Sequence, residues 1–384
     1  MMKILHLMLG CFYIDNYSYQ ENYLPKHHKL QGHDVEIVAS LVTFDENGKA
    51  TLLPRADKYI NEYGIPVTRL DYKKGKMAKK LRRYVGLVEE LKRVAPDLIF
   101  IHGVQFLDID LVAKYCKKHP SVKVFADSHS DFSNSARNWV SKNILHRVVW
   151  RRCAQKINPF VTKFFGVLPA RVDFLINEYK LPAEKVELLV MGADDEAVEA
   201  ASRGSVRATI RERYGLDTDD FVIMTGGKID AFKTQTLLLM EAVARIEDPR
   251  VKLIVFGSVT PELKEKVSAL ADGKKVQYVG WVQAKDSYDY FAAADLVVFP
   301  GRHSVFWEQV AAQGVPMVVK HWVGTTHVDY GGNVKFLRED SAEEIKRTLE
   351  DILSHDEYEK MRAAAKKAAE HFRYSEIAKR SIEG

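Results

Sequence analysis

Short apolar runs alternate with amphipathic segments along most of this 384-residue chain. The runs are rich in Val, Ile, Leu and Phe and are bounded by Gly, Pro or Asp, which is typical of parallel strands covered on both faces. The predicted strands are Lys3–Met8, Val35–Ser40, Asp97–His102, Val122–Asp127, Lys163–Val167, Glu187–Met191, Phe221–Thr225, Lys252–Phe256, Val276–Gly280, Asp295–Pro300 and Val315–Val319. The predicted helices are Glu21–Gln31, Met77–Val94, Asp108–Lys118, Gln235–Ile246, Pro261–Leu270, Ser287–Ala293, Ala342–Leu353 and Tyr358–Phe372. This alternation predicts an α/β fold of two Rossmann-like, doubly wound parallel-sheet domains that face a cleft.

The chain length fits two domains of ordinary size. A small, polar stretch at Glu196–Val206 separates the two halves of the strand–helix pattern. It predicts an N-terminal domain at 1–200, a C-terminal domain at 201–370 and a last segment at 371–384. Because open α/β sheets bind ligands at the carboxyl ends of their strands, site residues are expected in the loops there.

The cysteines and the apolar runs indicate the compartment. Cys11, Cys116 and Cys153 lie far apart and form no CxxC pair, which argues against a zinc site or a disulfide framework. The first residues lack the cleavage region of a signal peptide, and no run reaches the roughly 18 residues of a spanning helix. We therefore expect a cytoplasmic protein.

Positive charge is concentrated in the first half of the chain. Residues 1–200 carry 30 Lys and Arg against 24 Asp and Glu, whereas the remainder carries 27 against 28. Within the first half, Lys142–Lys156 interleaves apolar and basic residues, a pattern that suits a peripheral contact with an anionic membrane surface. The same pattern fits a helix with one core face and one solvated basic face. No RNA- or DNA-binding motif accompanies the charge, so nucleic acid is not an expected partner.

Two lysines follow a predicted strand in the second half. The strand ends at Gly226-Gly227, Lys228 comes next, and Lys233 precedes a predicted helix. Glycines allow a ligand to approach the backbone, and two ammonium groups beside a helix N-terminus make an anion site that suits a diphosphate. A turn with two solvated lysines is the alternative interpretation.

A second segment whose residues could bind a ligand is the loop after Asp295–Pro300. Ser304 is a predicted N-cap for a helix from Val305 to Gln313, whose free amides at Val305 and Phe306 suit a phosphate. One turn further, Glu308 or Gln309 is placed to bind a ribose diol. A capped helix with Trp307 in the core explains the same residues without a ligand.

His129 lies just past a predicted strand, in a polar loop where catalytic groups of open sheets cluster. Asp127 and Asp131 flank it and are expected to orient or charge it. A surface histidine without a role is the alternative. His102, at the end of another strand, is a weaker candidate of the same kind.

The order of these segments resembles glycosyltransferase family 4, the retaining transferases of GT-B fold. The Gly227-Lys228 segment and a lysine five positions on, Lys233, are similar to the pair that grips the donor diphosphate in that family. Val190–Asp194 resembles the family's segment at the domain junction, and Gly32–Val35 resembles its entry to the second strand. His129 falls where the family has its active-site histidine. The last helix, Tyr374–Ile382, resembles the helix that packs back on the N-terminal domain.

The loop before Glu308 departs from the family pattern. The family has paired glutamates in the spacing E-x7-E, whereas Pro300 and Gly301 stand eight residues before Glu308 and Gln309. Counting back from Gly314 places Gln309 at the second glutamate. A shift of one residue places Glu308 there, and we favour Glu308 because a carboxylate accepts two hydroxyl hydrogen bonds. The HSVFWEQ pattern resembles a branch of bacterial surface-polysaccharide glycosyltransferases.

The resemblance implies transfer of a hexose-type unit, with retention of configuration, from a nucleotide-sugar donor such as a UDP-sugar to a saccharide or lipid-linked saccharide. It implies catalytic roles for His129, Lys228 and Lys233 and no metal or other cofactor. It places the donor at Gly227, Gly257, Trp281, Val282, Ser304, Val305, Phe306, Glu308 and Gln309. Alternatives are a nucleotide-sugar epimerase or phosphorylase of the same architecture, or a non-catalytic protein that binds sugar nucleotides or glycans.

Overall fold

The computed structural model describes residues 1–45, 49–354 and 356–383 and divides the chain into two compact units. The N-terminal unit comprises Met1–Val190 and the segment that begins at Ile377, and the C-terminal unit comprises Met191–Glu376. The sequence pattern places this division at residue 200, whereas the chain leaves the first unit at Val190. Among the described residues, no helix is both long enough and apolar enough to cross a membrane.

The N-terminal unit is built on a sheet to which eight of its described strands belong, in the order β10-β9-β8-β7-β1-β2-β6-β5. All neighbours pair in parallel except β5 and β6, and β3 pairs with β4 in a separate antiparallel hairpin. The strands are β1 Lys3–Met8, β2 Asp34–Ala39, β3 Val42–Phe44, β4 Ala50–Leu52, β5 Asp57–Ile60, β6 Pro66–Arg69, β7 Leu98–His102, β8 Lys123–Ser128, β9 Lys163–Gly166 and β10 Val186–Leu188. The helices are α1 Gln20–Leu30, α2 Lys76–Lys80, α3 Leu87–Val94, α4 Ile109–Lys118, a π-helix at Ser141–Trp150, α5 Arg151–Ile157, α6 Pro169–Asn177 and a 3₁₀ turn at Ala183–Lys185.

The single helix predicted for Met77–Val94 is wrong, because the chain forms α2 and α3 with turns and an irregular stretch between them. Arg82 and Gly86 adopt positive φ angles of 53° and 83°, which end helical geometry. The carboxylate of Asp108, which is fully buried, accepts hydrogen bonds from Arg83 Nε at 2.9 Å and from the Tyr84 amide at 2.7 Å. A buried carboxylate needs such donors, and this requirement overrides the local helical pattern.

The stretch Glu196–Val206, which separates the two halves of the strand–helix pattern, is itself folded into regular structure. The stretch lies mostly in two helices, α7 Asp195–Ala201 and α8 Gly204–Arg213. Asp195 and Glu196 occupy the first turn of α7, where negative charge is favourable, and Val198 and Ala201 are buried.

The C-terminal unit has a six-stranded sheet among its described residues, parallel throughout, in the order β13-β12-β11-β14-β15-β16. Its strands are β11 Phe221–Gly226, β12 Val251–Phe256, β13 Val276–Tyr278, β14 Leu296–Phe299, β15 Met317–Lys320 and β16 Val334–Leu337. The remaining helices are α9 Gln235–Ala244, a 3₁₀ turn at Pro261–Leu263, α10 Lys264–Leu270, α11 Ser287–Ala293, α12 Phe306–Ala312, α13 Ala342–Ser354, α14 Glu357–Ala368, a 3₁₀ turn at Ala369–Phe372 and α15 Tyr374–Ser381. The predicted α/β class with two parallel-sheet domains is confirmed.

Asp295, just before β14, joins helix α8 to the sheet. Its carboxylate accepts hydrogen bonds from Arg207 at 2.6 Å, from Arg211 at 2.5 Å and from the Val222 amide at 2.8 Å. Replacing Asp295 by Asn leaves Arg211 without its carboxylate in a buried position, so we expect Asp295→Asn to lower the free energy of unfolding by about 3 kcal/mol. Urea unfolding followed by circular dichroism measures this change.

Glu241→Gln is the matched control for that experiment. Glu241 pairs with Arg245 at 3.6 Å on an exposed face of α9, and such pairs contribute about 0–1 kcal/mol. Equal losses in the two variants would contradict the role assigned to Asp295.

Candidate functional site

Two neighbouring strands of the C-terminal sheet end side by side at glycines. Strands β11 and β12 pair in parallel up to Gly226 and Phe256, and the next residues, Gly227 and Gly257, have φ angles of 127° and 125°. A Cβ atom on Gly257 would lie 2.0 Å from the Gly227 carbonyl oxygen, so only glycine permits this approach. The two loops therefore leave the sheet edge in close contact.

Beyond these strand ends lies a small pocket that opens to solvent. Its polar and basic lining comes from both predicted segments, namely Gly227, Lys228, Lys233, Thr236, Arg302 and Ser304. Lysines that are five residues apart, together with a loop some seventy positions away, thus face one concave space. A basic pocket at the carboxyl ends of parallel strands suits an anionic ligand.

The two lysines differ in their surroundings. Lys228 is mostly exposed, and its Nζ lies 3.6 Å from Asp230 Oδ2. Lys233 is half-buried, and its amide donates to the Asp230 carbonyl oxygen at 2.9 Å in the turn before α9. Burial lowers the pKa of Lys233, Asp230 opposes this effect, and repulsion from Lys228 adds to it. A desolvated ammonium beside a second cation has an unmet demand for negative charge.

Arg302 is a third cation of this pocket, although the sequence pattern gave it no role. Its guanidinium lies 5.4 Å from the ring centre of Phe232, which holds it over the turn that precedes Lys233. Its part in the pocket depends on folding of distant segments, so the spacing along the chain gave no indication of it.

Glu308 lies in helix α12 and is fully buried. Its Oε1 accepts hydrogen bonds from His303 Nε2 at 2.8 Å and from His327 Nε2 at 2.7 Å. Burial alone would raise the pKa of Glu308, but His303 and His327 outweigh this effect and hold it well below its ordinary value. Sequence reasoning missed His327, since it comes nineteen residues after Glu308, in a loop beyond β15.

This cluster also has the composition of a metal site. Within the part of the chain that the structure describes, His303, Glu308 and His327 are the one group with three candidate ligand atoms within 4.8 Å of one another. Two imidazoles and a carboxylate are ligands that zinc accepts. However, the 2.7 and 2.8 Å separations are hydrogen-bond distances, and His327 Nδ1 is buried without a hydrogen-bond partner, whereas metal-bound histidines usually donate from that second nitrogen. The geometry of this cluster therefore fits a hydrogen-bonded carboxylate better than a metal site.

One oxygen of Glu308 stays open in this arrangement. Glu308 Oε2 is buried and has no hydrogen-bond partner, so it keeps an unused capacity to accept a hydrogen bond. Gln309 is buried as well, and its Nε2 donates to Ser287 Oγ at 2.8 Å. The ribose role of Glu308 or Gln309 stays a prediction.

The expected N-cap at Ser304 is wrong. Helix α12 begins at Phe306, Val305 occupies the cap position, and no side chain makes a cap hydrogen bond. The Ser304 carbonyl oxygen accepts from the Trp307 amide at 3.0 Å, while its side chain borders the pocket. Val305 is exposed, and the Phe306 ring packs 5.2 Å from that of Phe291.

The residues expected around the nucleotide base lie in two places. The Gly257 amide donates to the Gly280 carbonyl at 2.7 Å, and its carbonyl accepts from Tyr278 Oη at 2.7 Å. Trp281 is 68% exposed and, with Val282, borders a separate groove of the same unit. Their contact with a base stays a prediction.

His129 follows strand β8 in the N-terminal unit. Its Nε2 lies 3.8 Å from Asp127 Oδ2 and 3.9 Å from Glu21 Oε1. Burial alone would lower the pKa of His129, but Glu21 and Asp127 outweigh it and raise the pKa above its ordinary value. The site thus combines a partly exposed histidine with two carboxylates, one of which, Glu21, was not predicted to take part.

Two expectations around His129 need correction. Asp131 does not orient it, because its carboxylate accepts from Ser133 at 2.7 Å and from Arg171 at 3.2 Å. His102 ends strand β7 as predicted, but it is fully buried and bonded to Asp127 at 2.9 Å rather than facing a ligand site. Its burial follows from the position of β7, whose five residues are all buried, so both faces of this strand are covered.

Comparison with known proteins bears on the C-terminal unit most directly. Residues 220–355 match the family model described as glycosyl transferases group 1. Mannosylfructose-phosphate synthase of Agrobacterium fabrum is 27% identical over 252 residues, which cover 61% of this chain and 53% of the synthase. The chain therefore spans about half the length of that curated relative.

Solved structures resemble the chain over nearly its full length. HepE of Anabaena, determined with UDP, has a TM-score of 0.65 at 18% identity and covers 99% of this chain and 98% of its own. UDP-GlcNAc 2-epimerase of Neisseria meningitidis, determined with UDP-GlcNAc, has a TM-score of 0.61 at 14% identity and covers 99% and 98%. At these identities the likeness shows the fold. The predicted resemblance to glycosyltransferase family 4 and the GT-B fold is confirmed.

Replacing Lys233 by Met tests whether the positive charge of Lys233 lowers the stability of the fold. Because the pKa of Lys233 is lowered in the folded chain, the charged form destabilises the fold at pH values below that lowered pKa. We expect Lys233→Met to unfold at a higher urea concentration than the unmodified protein at pH 7. This advantage shrinks as the pH rises through the lowered pKa toward the unfolded value of about 10.4, where both states lose the charge.

Lys264→Met is the control, because Lys264 is exposed on α10. Its stability should change by less than about 0.5 kcal/mol. A Lys233→Met protein that is less stable than the unmodified chain at pH 7 would refute the argument.

Proposed function

Because residues 220–355 carry the glycosyl transferases group 1 segment within a GT-B fold, we propose that the chain is a retaining glycosyltransferase that uses a nucleotide-diphosphate sugar. A UDP-linked hexose is the donor to test first, since HepE, a structural neighbour, was determined with UDP. The acceptor class is a saccharide or lipid-linked saccharide in cell-surface polysaccharide synthesis. Neither a metal nor another cofactor enters the proposed reaction.

The observation that carries this proposal is the convergence of Lys228, Lys233 and Arg302 on one pocket. Breaking the bond between sugar and diphosphate leaves negative charge on the leaving phosphate. Fixed cations stabilise that charge most where it develops, in the transition state. Two lysines and an arginine can thus assist departure of the diphosphate without a divalent ion.

The other proposed roles follow from the geometry of each unit. Glu308, through its open Oε2, would accept a ribose hydroxyl. His129 would contact the transferred sugar or the acceptor, and its raised pKa favours a ring that donates a hydrogen bond. The basic N-terminal unit would bind the acceptor.

The diphosphate assignment predicts the effect of removing Lys233. A charge-assisted hydrogen bond contributes about 1.5–3 kcal/mol, so Lys233→Ala should weaken UDP binding about 10- to 100-fold. Isothermal titration calorimetry with UDP measures this loss, and Lys264→Ala, on an exposed helix face, should leave the affinity unchanged. Equal UDP affinity in Lys233→Ala and Lys264→Ala would remove the lysine from the proposed site.

Turnover distinguishes the activities. Purified protein is incubated with UDP-sugars, with and without saccharide acceptors, and products are followed by NMR. Transfer with retained anomeric configuration supports the proposal. Isomerised UDP-sugar without release of UDP would point to an epimerase, and tight binding without any product would point to a non-catalytic binder.

We also propose a peripheral membrane contact at the π-helix Ser141–Trp150 and the residues before it. His146 and Trp150 face the core, whereas Trp139, Val140, Ile144 and Val148 are 70%, 54%, 45% and 41% exposed. Exposed basic residues, Arg137, Arg152 and Lys156, flank them. An exposed apolar stripe beside cations fits contact with an anionic lipid surface better than it fits a helix whose outer face is only basic and solvated.

Liposome flotation tests this contact. Burying one Ile side chain is worth about 1.5–3 kcal/mol, so Ile144→Glu should reduce flotation with acidic vesicles at least about tenfold. Ile60→Glu is the matched control, since Ile60 is 63% exposed elsewhere in the same unit. Flotation that is equally weak in all three proteins, or equally strong in the two variants, would contradict the contact.

A further inference from the structure

A line of three buried histidines runs through the N-terminal unit to Asp127. His28 Nδ1 lies 3.1 Å from His6 Nε2, His6 Nδ1 lies 2.9 Å from His102 Nε2, and His102 Nδ1 lies 2.9 Å from Asp127 Oδ2. The three rings are fully buried, and Asp127 is 1% exposed. They come from α1, β1, β7 and β8, so four separate segments build one continuous hydrogen-bonded chain.

Both ends of this row of hydrogen bonds are acceptors. At one end, His28 Nε2 faces the Ala378 carbonyl oxygen and Ser381 Oγ, each at 3.0 Å. The Ala378 carbonyl oxygen can only accept, and when the Ser381 hydroxyl directs its hydrogen to that oxygen, 2.8 Å away, both atoms accept from His28. At the other end stands a carboxylate oxygen of Asp127, which accepts when ionised.

This row of hydrogen bonds needs more hydrogens than three neutral imidazole rings supply. There are four links, from the Ala378 carbonyl to His28, from His28 to His6, from His6 to His102 and from His102 to Asp127. Each link needs one hydrogen, whereas three neutral imidazoles supply one each. We propose that this relay, made of His28, His6, His102 and Asp127, permanently holds one excess proton, located on His102 against the Asp127 carboxylate.

The surroundings favour His102 over the other two rings. Burial lowers the pKa of His6 well below its ordinary value and that of His28 to about 3, and neighbouring histidines add to the effect, so both rings stay neutral. Beside Asp127, burial would raise the pKa of the carboxyl group, but His102 and His129 outweigh it and keep it ionised. The further titratable groups that act on the two ends of the relay are Cys11, Glu21, His27, His33 and His129.

The relay orders Asp127 from behind. Its Oδ2 also accepts from Gln20 Nε2 at 3.3 Å, and its Oδ1 accepts from the Gly103 amide at 3.2 Å. His129 Nε2 approaches the same Oδ2 to 3.8 Å on the other side. The relay residues are thus positioning residues for His129, and the His102 charge limits how strongly Asp127 attracts a proton to that ring. The catalytic consequence rests on the proposed function, whereas the proton count does not.

Nitrogen NMR on the full-length chain with ¹⁵N-labelled histidine decides the count. At pH 7, ring nitrogens of His6 and His28 should each show one protonated Nε2 and one bare Nδ1, and both nitrogens of His102 should be protonated. Single variants at the three positions assign the signals, and His119→Gln, at an exposed histidine, is the control that removes an unrelated signal. Four ring hydrogens among the three residues support the proposal, and three overturn it.

Removing one histidine of the relay tests whether its hydrogen bonds require the excess proton on His102. In His6→Phe, His102 has no acceptor at Nε2 and satisfies Asp127 with the single hydrogen of a neutral ring. We therefore expect His102 to lose one proton at pH 7. The uncompensated charge of Asp127 should then raise the pKa of His129, seen in the same spectra. If His6→Phe does not fold, His28→Phe removes one link and predicts the same loss. A doubly protonated His102 in the folded variant would overturn the proposal.

Kinetics provide a separate readout of positioning. With a UDP-sugar as substrate, His6→Phe should lower kcat about 10- to 100-fold with little change in KM for the donor, because a displaced catalytic group costs rate more than donor binding. It should also shift the pH profile of kcat to higher pH, while His119→Gln changes neither. An unchanged kcat and pH profile beside the expected NMR result would overturn the positioning role. If no donor turns over, the proposed function fails, and the spectra still decide the relay.

Discussion

The close approach of Gly227 to Gly257 governs the geometry of the C-terminal unit's pocket. Strands β11 and β12 end in register, and their two exits share a space that admits no Cβ atom, since one on Gly257 would lie 2.0 Å from the Gly227 carbonyl. The turn that follows brings Lys228 and Lys233 to one side of the strand ends, and the loop after β14 brings Arg302 to the same pocket. A side chain at Gly257 would separate the exits and disperse the cations, although each cation would keep its own local structure.

The long buried strands and the helices between them were predictable from the sequence. Strand β1 was predicted with its observed bounds, and ten other strands within a few residues, because continuous apolar runs between turn residues have few other solutions. Strands β3, β4, β5, β6 and β16 were missed, since they are three or four residues long and the first three have no buried residue. The helix predicted across Gly86 failed for a different reason, namely the demand of buried Asp108 for donors.

The candidate site likewise has residues that the local sequence predicts and residues that only the fold brings together. Lys228 and Lys233 are close in sequence and lie on one turn, so their convergence follows from local structure. His327 reaches Glu308 from beyond a strand, and His6, His28 and His102 meet from three elements. A histidine in an apolar run or an ordinary helix carries no local mark of its partner, and only the parallel register of β1 with β7 places His6 beside His102. Such clusters follow from topology, which the residue pattern predicts only as a class.

The two buried carboxylates show why one cluster is closed and the other open. Around Asp127, every ring nitrogen of the relay has a neighbour, and completing the links requires an added proton. Around Glu308, two imidazole nitrogens share one carboxylate oxygen. That leaves Oε2 without a donor, in a helix whose preceding loop borders the basic pocket. Burying an unpartnered carboxylate oxygen is costly, and a ligand hydroxyl would remove that cost. The relay thus suits a fixed, positioning role, and the Glu308 cluster suits a ligand that donates a hydrogen bond.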